Sequence, residues 1–287
     1  MILGAIAGDI IGSRFEFDRG DKSKDFELFT NMNYFTDDTV MTLAVASALA
    51  QAGPDPKEED VKNKLVIQLR AWANAYPNAG YGSMFRMWVH HPEMKAYNSY
   101  GNGSAMRVSF AGWAYPDLET TRKVARWTAE VTHNHPEGVK GAEATAAAIY
   151  LARNGYSKKD IKKYIEKEFK YNLHRSLKDI RKSYHHVEDC QHTVPEALTC
   201  FLEASDYEDA IRNVMFIGGD TDTLGAITGS IADAFYGIPP EISNKAQDYL
   251  DDNLKKMIPV VDSLITILQK EPKQREVPEQ EERDDDR

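Results

Sequence analysis

Apolar residues along this chain recur at helical spacing, and no segment shows sustained alternation with a period of two. In the segment 36–51, for example, Val40, Leu43, Ala44 and Ala48 repeat at the interval of a helical face. Comparable patterns predict further helices over 2–11, 61–75, 104–113, 118–131, 137–153, 157–169, 195–203, 207–215, 222–236 and 242–268. The predicted fold class is all-α, a single compact orthogonal bundle of many helices.

The first predicted helix contains Gly4, Gly8 and Gly12, spaced four residues apart, which indicates close packing on a neighbouring helix. Residues 15–34 are polar and irregular and predict a loop that could cover a site. Residues 172–192 are polar, and their structure is not assigned. From 271 onward the chain is charged and contains prolines, so we predict one domain over 1–270 and a disordered tail over 271–287.

The composition is that of an ordinary globular protein of 287 residues, with 42% hydrophobic residues and a net charge of −10. The negative charge argues against broad nucleic-acid binding, which needs a basic face. No apolar run reaches the roughly 18 residues of a membrane span. With only Cys190 and Cys200, the chain is typical of a reduced compartment. We therefore expect a cytoplasmic monomer without nucleic-acid or membrane partners.

Two short acidic stretches, Phe35–Thr39 and Gly218–Thr223, each place two carboxylates close together at the start of an apolar helical run. Alone, each is typical of a helix cap, because the amides and dipole of a helix N-terminus favour negative charge. Four carboxylates that met at one point would repel one another unless a cation lay among them. Hard oxygen ligands of this kind suit magnesium, manganese or calcium rather than zinc. We predict that both stretches form one metal site.

A second group of small polar residues, Asn98–Arg107, contains two glycines and leads directly into a predicted helix. Such a loop can present backbone N–H groups to a phosphate, although a simple turn with an N-cap at Ser104 explains the same pattern. His133 is a candidate to hydrogen-bond a ligand or a neighbouring carboxylate. Glu16 is a lone acid in the loop that could cover the site, and an ordinary loop acid is the alternative interpretation.

Together these motifs resemble the ADP-ribosylglycohydrolase family, which includes the dinitrogenase reductase-activating glycohydrolase and the ADP-ribosyl-acceptor hydrolases. The similarity extends from about residue 4 to about residue 239. Its motifs, in the order of the family, are Gly4–Asp9 with Gly12, Ser13 and Glu16, then Thr36–Thr39, Tyr100–Arg107, Thr132–His133 and Gly218–Thr223.

The resemblance implies an all-α fold around a centre of two magnesium ions, with manganese as an alternative. The metal ligands that it implies are Thr36, Asp37, Asp38, Asp220, Asp222 and Thr223. Glu16, Asp37 and Asp222 are the implied catalytic residues, Glu16 being the acid near the reacting ribose. The implied substrate-binding residues are Ser99, Tyr100, Gly101, Asn102, Gly103, Ser104, Met106 and His133.

The implied activity is hydrolysis of the glycosidic bond between ADP-ribose and an acceptor side chain, with an ADP-ribosylated protein or another ADP-ribose conjugate as partner. We favour arginine as the acceptor, because the stretch Thr132–Gly138 is similar to the nitrogenase-regulating branch. Two alternatives are a binuclear phosphohydrolase acting on nucleotide diphosphates, and an ADP-ribose-binding or toxin-blocking immunity-type protein with the same fold.

Overall fold

The chain folds into fifteen α-helices within residues 1–269, the part that this computed structural model describes. In order they are α1 (Leu3–Gly12), α2 (Asp37–Ala52), α3 (Glu58–Ala75), α4 (Ser83–His90), α5 (Gly103–Met106), α6 (Ser109–Ala114), α7 (Leu118–Glu130), α8 (Pro136–Arg153), α9 (Lys158–Phe169), α10 (Leu177–Ser183), α11 (Cys190–Leu202), α12 (Tyr207–Ile217), α13 (Thr221–Tyr236), α14 (Pro240–Gln247) and α15 (Asp252–Leu268). One 3₁₀ turn, Ser13–Phe15, follows α1, and the β pairing in this range is an isolated bridge between Gly101 and Asp189. The all-α prediction is confirmed, whereas the predicted tail over 271–287 lies outside the described residues.

Helix α13 lies at the centre of the fold. Every residue from Thr221 to Asp233 is buried, which suits a helix that is small or apolar on all sides. It packs against α1, α2, α5, α8, α11 and α12. The start of α13 is therefore deeply buried, and polar groups placed there are largely removed from bulk water.

The glycines of α1 allow its backbone to touch the backbone of α13. A Cβ atom added at Gly8 would lie 2.0 Å from the carbonyl oxygen of Gly225, and one at Gly12 would lie 2.1 Å from that of Thr221. At Gly4 the corresponding distance to the Gly229 carbonyl oxygen is 2.5 Å. No side chain larger than hydrogen fits at these three positions. The prediction of close packing from the glycine spacing is confirmed.

Several helix boundaries differ from the sequence prediction because side-chain caps start helices that the apolar pattern did not separate. The segment 242–268 forms two helices, since Asp251 accepts hydrogen bonds from the N–H groups of Asn253 and Leu254 and begins α15. Helix α11 begins at Cys190 rather than Pro195, because Asp189 caps it by accepting from the N–H of His192. The segment 104–113 also forms two short helices.

Two helices lie in regions where none was predicted. Helix α4 follows a glycine-rich stretch and buries Phe85, Trp88 and Val89, which recur at helical spacing. Helix α10 begins at the cap Ser176 within the unassigned polar region and buries Leu177 and Ile180. Both helices are short, so their apolar faces contain too few residues to stand out in a sequence pattern.

Within residues 1–269, every helix is too short or too polar to cross a membrane. Cys190 and Cys200 are both buried, and no disulfide joins them.

We expect Gly8→Ala to destabilise the protein by roughly 1–3 kcal/mol, because the added methyl group forces α1 away from α13. Chemical denaturation measures this change in the free energy of unfolding. Gly82→Ala is the matched control, since nothing lies within 4 Å of its added Cβ and its φ of −59° suits alanine. Equal stability of the two variants would contradict the close backbone contact.

Candidate metal centre and substrate cavity

The two acidic stretches meet at the starts of α2 and α13. Thr36 is the N-cap of α2, and its Oγ1 accepts from the N–H of Asp38 at 3.2 Å. Thr223, in the first turn of α13, donates its hydroxyl to Asp38 Oδ2 at 3.2 Å across 185 positions of sequence. The capping and metal-site interpretations are therefore compatible, because the same helix starts direct their acids toward one point.

The carboxylates at this point form two overlapping groups. Asp9, Asp38 and Asp222 each offer a carboxylate oxygen, and these atoms lie within 4.8 Å of one another. Glu16, Asp220 and Asp222 form a second group by the same measure, so that Asp222 belongs to both. Asp37 lines the cavity beside them.

Burial disfavours the charged form of these acids. It raises the pKa of Asp9 to about 6 and that of Asp220 to about 7. Burial and then the charge of Asp222 raise the pKa of Glu16 to about 7. The pKa values of Asp37, Asp38 and Asp222 also lie well above the usual range, first through burial and then through the neighbouring acids. The cluster cannot be fully ionised without a compensating positive charge.

A divalent cation fits this donor set. Asp38 Oδ1 is buried and has no hydrogen-bond partner, which is costly for a carboxylate oxygen unless a cation contacts it. The surrounding groups are carboxylates and threonine hydroxyls, the hard oxygen donors that magnesium and manganese prefer. Within residues 1–269, Arg107 is the only arginine or lysine that lines the cavity.

The acid cluster forms one end of a cavity of about 300 Å³. The same cavity is also lined by the glycine-rich loop and its neighbours, namely Ser99, Gly101, Asn102, Gly103, Met106 and His133. Tyr100 instead lines an adjoining surface cleft and is half exposed. Ser104 does not line the cavity, because its side chain is buried and donates to the carbonyl oxygen of Gly138 at 2.7 Å.

Part of the donor capacity of the glycine-rich loop is used within the protein. The N–H of Gly101 donates to Ser99 Oγ at 3.0 Å, and the N–H of Asn102 donates to the carbonyl oxygen of Glu188 at 2.8 Å. The Asn102 side chain donates from Nδ2 to Asp220 Oδ2 at 2.7 Å. The loop is thus tied directly to the acid cluster.

The segment 184–189, which the sequence left unassigned, holds two parts of the site together. It pairs with the glycine-rich loop through the bridge between Gly101 and Asp189. It also anchors the loop that follows Glu16, because Asp18 accepts from the N–H of His186 at 2.8 Å and from the N–H of Gly219 at 3.0 Å. Of the region 15–34, only Glu16 and Phe17 line the cavity.

Asp9 is the principal site residue to which the sequence analysis assigned no role. Its carboxylate accepts four hydrogen bonds, from the N–H and hydroxyl groups of Thr36 and Thr39. It therefore holds the first turn of α2 in place beside Asp38. The signal in the sequence was an aspartate within an apolar, glycine-containing helix, because a carboxylate buried there is costly unless hydrogen-bond partners surround it.

This all-α protein has buried carboxylates, a donor set that could hold a divalent cation, in the same cavity as a glycine-rich loop, which is the organisation of a ligand-binding or active site. The family model for ADP-ribosylglycohydrolases matches residues 1–274. The chain belongs to the ADP-ribosylglycohydrolase family.

Similar proteins support this assignment. ADP-ribosylhydrolase ARH3 of Mus musculus is 26% identical, and the alignment covers 83% of this chain and 83% of that protein. The ADP-ribosyl-(dinitrogen reductase) glycohydrolase of Rhodospirillum rubrum is 24% identical over 82% of this chain and 84% of its own length. A solved structure described as an ADP-ribosylglycohydrolase-related protein complex has the same fold, with a TM-score of 0.69 and 22% identity over 93% of this chain and 96% of that one.

We expect the metal-free wild-type protein to lose stability relative to Asp220→Asn as the pH rises from about 4 to about 7. The folded state raises the pKa of Asp220 from 3.8 to about 7. Between these values Asp220 is ionised in the unfolded chain and protonated in the folded one, so folding takes up a proton and becomes less favourable as the pH rises. Denaturation in a chelator at several pH values measures the difference.

The same titration with manganese provides the control. The cation should restore wild-type stability at neutral pH and have little effect near pH 4, because protons then occupy its ligands. A metal-free difference between wild type and Asp220→Asn that is constant with pH would contradict the raised pKa.

Proposed function

We propose that this protein hydrolyses the glycosidic bond between ADP-ribose and an acceptor, with two divalent cations at the acid cluster. The observation that carries the proposal is a buried group of carboxylates, one oxygen of which lacks a partner, in the same cavity as a glycine-rich loop. Membership of a glycohydrolase family supports the same reaction.

The proposed ligands of the two cations, magnesium or manganese, come from both helix starts. They are Thr36, Asp37, Asp38, Asp220, Asp222 and Thr223. Three of these ligands, Asp38, Asp220 and Asp222, belong to the two overlapping carboxylate groups, which share Asp222 and suit a pair of ions. When bound, cations of this kind neutralise the carboxylates and orient hydroxyl groups and water as Lewis acids.

The glycine-rich loop is the proposed site for the diphosphate of ADP-ribose. Ser99, Gly101, Asn102, Gly103 and His133 face the cavity there, and Met106 lines its base. Tyr100 stands at the edge of the loop, where an aromatic ring can pack against the nucleoside. Because the Ser104 hydroxyl is bonded to Gly138, we assign Ser104 to positioning the loop rather than to direct contact.

The distal ribose then lies between the loop and the acid cluster, close to Glu16. Cleavage at its anomeric carbon develops positive charge on the ring, and we propose that Asp37 and Asp222, which line the cavity, stabilise it. Glu16 is the proposed proton carrier, because its raised pKa lets it both donate and accept a proton near neutral pH. Its candidate steps are donation to the leaving group and acceptance from the attacking water.

Arginine remains the acceptor that we propose. Glu188 lines the cavity and is 70% exposed, and Glu16 lines the same opening. This negative edge complements a guanidinium group better than a neutral hydroxyl. The name of the relative from Rhodospirillum rubrum, a glycohydrolase for ADP-ribosylated dinitrogen reductase, points to a protein substrate. We also propose a monomeric, cytoplasmic protein that does not bind nucleic acid.

Asp220→Ala is expected to reduce ADP-ribose release by at least about a hundredfold and to weaken manganese binding, because it removes a proposed ligand. Product analysis measures release, and calorimetry measures binding. Asp248→Asn is the control, since Asp248 is an exposed acid at the C-terminal end of α14 that pairs with Lys245 of the same helix. Full turnover of wild-type protein in excess chelator would rule out the metal-dependent mechanism.

A panel of arginine-, serine- and glutamate-linked ADP-ribose substrates, with and without magnesium, tests the acceptor. We expect the arginine conjugate to be cleaved fastest because of the negative opening. The product separates the alternatives, since AMP would indicate a phosphohydrolase, and tight binding without turnover would indicate an immunity-type protein. Faster cleavage of the serine conjugate would refute the arginine preference but not the reaction.

A further inference from the structure

The cavity wall beside the glycine-rich loop contains a fully buried arginine for which neither the fold nor the proposed reaction has yet given a role. Arg107 is 1% exposed. Its Nη2 donates to the carbonyl oxygen of Thr128 at 3.0 Å and to the hydroxyl oxygen of Thr132 at 2.7 Å. A buried guanidinium is costly unless its N–H groups find hydrogen-bond acceptors. An apolar side chain of similar size would avoid this cost, so the hydrogen bonds of Arg107 indicate a role.

The hydrogen bond from Arg107 determines the direction of the Thr132 hydroxyl. A guanidinium can only donate, so Thr132 Oγ1 accepts from it and must direct its own proton elsewhere. The next polar atom is His133 Nδ1, which lies 2.8 Å from Thr132 Oγ1. Within residues 1–269 it is the only acceptor for this proton. Nδ1 of His133 therefore accepts a hydrogen bond and carries no proton.

The ring proton of His133 must then reside on Nε2. Burial and the nearby charge of Arg107 lower the pKa of His133 well below 6.5, so the ring is neutral. Nε2 faces the glycine-rich loop, because a Cβ atom added at Gly103 would lie 3.1 Å from it and one at Gly101 would lie 3.4 Å away. The hydrogen bond that the His133 ring makes within residues 1–269 is the one at Nδ1, so Nε2 is left for a ligand in the cavity.

We propose that Arg107 and Thr132 are positioning residues that hold His133 as its Nε2–H tautomer, so that the ring offers one neutral donor to an anionic oxygen at the glycine-rich loop. The N–H groups of Gly101 and Asn102 are already bonded within the protein, so the His133 ring adds a donor that these two groups do not supply. The inference rests on the proposed function only for the identity of the anion, the diphosphate of ADP-ribose.

The tautomer can be observed directly in wild-type protein without ligand. Long-range proton–nitrogen correlation spectra distinguish a protonated Nε2 from a protonated Nδ1, and His133→Gln identifies the signal among the eight histidines. We expect the Nε2–H pattern at neutral pH. An Nδ1–H pattern, or a charged ring, would overturn the proposal. This measurement needs neither turnover nor a ligand, so it stands even if the proposed reaction fails.

Binding of ADP-ribose tests the consequence of the hydrogen-bond relay from Arg107 through Thr132 to His133. Thr132→Val keeps the shape of the side chain but removes its hydroxyl, so His133 loses the Nε2–H pattern and ADP-ribose binds about tenfold more weakly, as for one hydrogen bond to a charged group. Thr132→Ser restores the hydroxyl and is expected to recover both properties. Unchanged affinity in Thr132→Val, or the altered spectrum persisting in Thr132→Ser, would refute the relay.

A purely structural role for Thr132 makes a different prediction. It would lower the melting temperature of Thr132→Val but leave the tautomer of His133 unchanged, which would also overturn the proposal. If wild-type protein binds no ADP-ribose, the proposed function is wrong, and the ligand-free spectra still decide whether Arg107 and Thr132 fix the ring.

Discussion

The backbone contact between α1 and α13 is the constraint on which the rest of the site depends. Gly8 and Gly12 bring the two helices so close that a single added carbon would lie about 2 Å from a carbonyl oxygen. Asp9 follows Gly8 directly, and Gly12 contacts Thr221, which lies between Asp220 and Asp222 in the sequence. The contact therefore places Asp9 and Asp222 within one group of carboxylates, although 213 positions separate them in the sequence. A wider helix spacing would disperse that group.

The same packing creates the electrostatic problem that defines the site. Helix N-termini favour nearby negative charge, which explains why two helices can begin with adjacent acids. The stabilisation that a helix N-terminus gives to a carboxylate is small. Because the pKa values of Asp38 and Asp222 are raised, this stabilisation does not compensate for the removal of the two acids from water. Two divalent cations would supply the missing charge. Without such a charge, protons on some of the carboxylates would relieve the same repulsion, so metal binding and proton release would be linked.

Most of the fold could be predicted from the sequence, because helices such as α2 and α8 have long apolar patterns and clear caps. What could not be predicted were features with little local signal. Helix α4 has too few apolar residues to stand out, and Asp251 separates α14 from α15 by a side-chain hydrogen bond. In the site, the convergence of the acidic stretches was predictable from their chemistry. The role of Asp9 was not, because its four donors come from residues 27 and 30 positions away.

The segment 184–189 shows most clearly why local sequence is insufficient. It has no regular structure, yet its backbone accepts from Asn102 in the glycine-rich loop and donates to Asp18 in the loop after Glu16. Asn102 in turn donates to Asp220. The glycine-rich loop is thus hydrogen-bonded both to the acid cluster and to the segment 184–189, and that segment also holds the loop that follows Glu16. Because the hydrogen bonds of 184–189 use its backbone groups, they do not require particular side chains there, and no sequence motif indicates them. The spacing between the glycine-rich loop and the acid cluster is consequently a property of the fold rather than of any single motif.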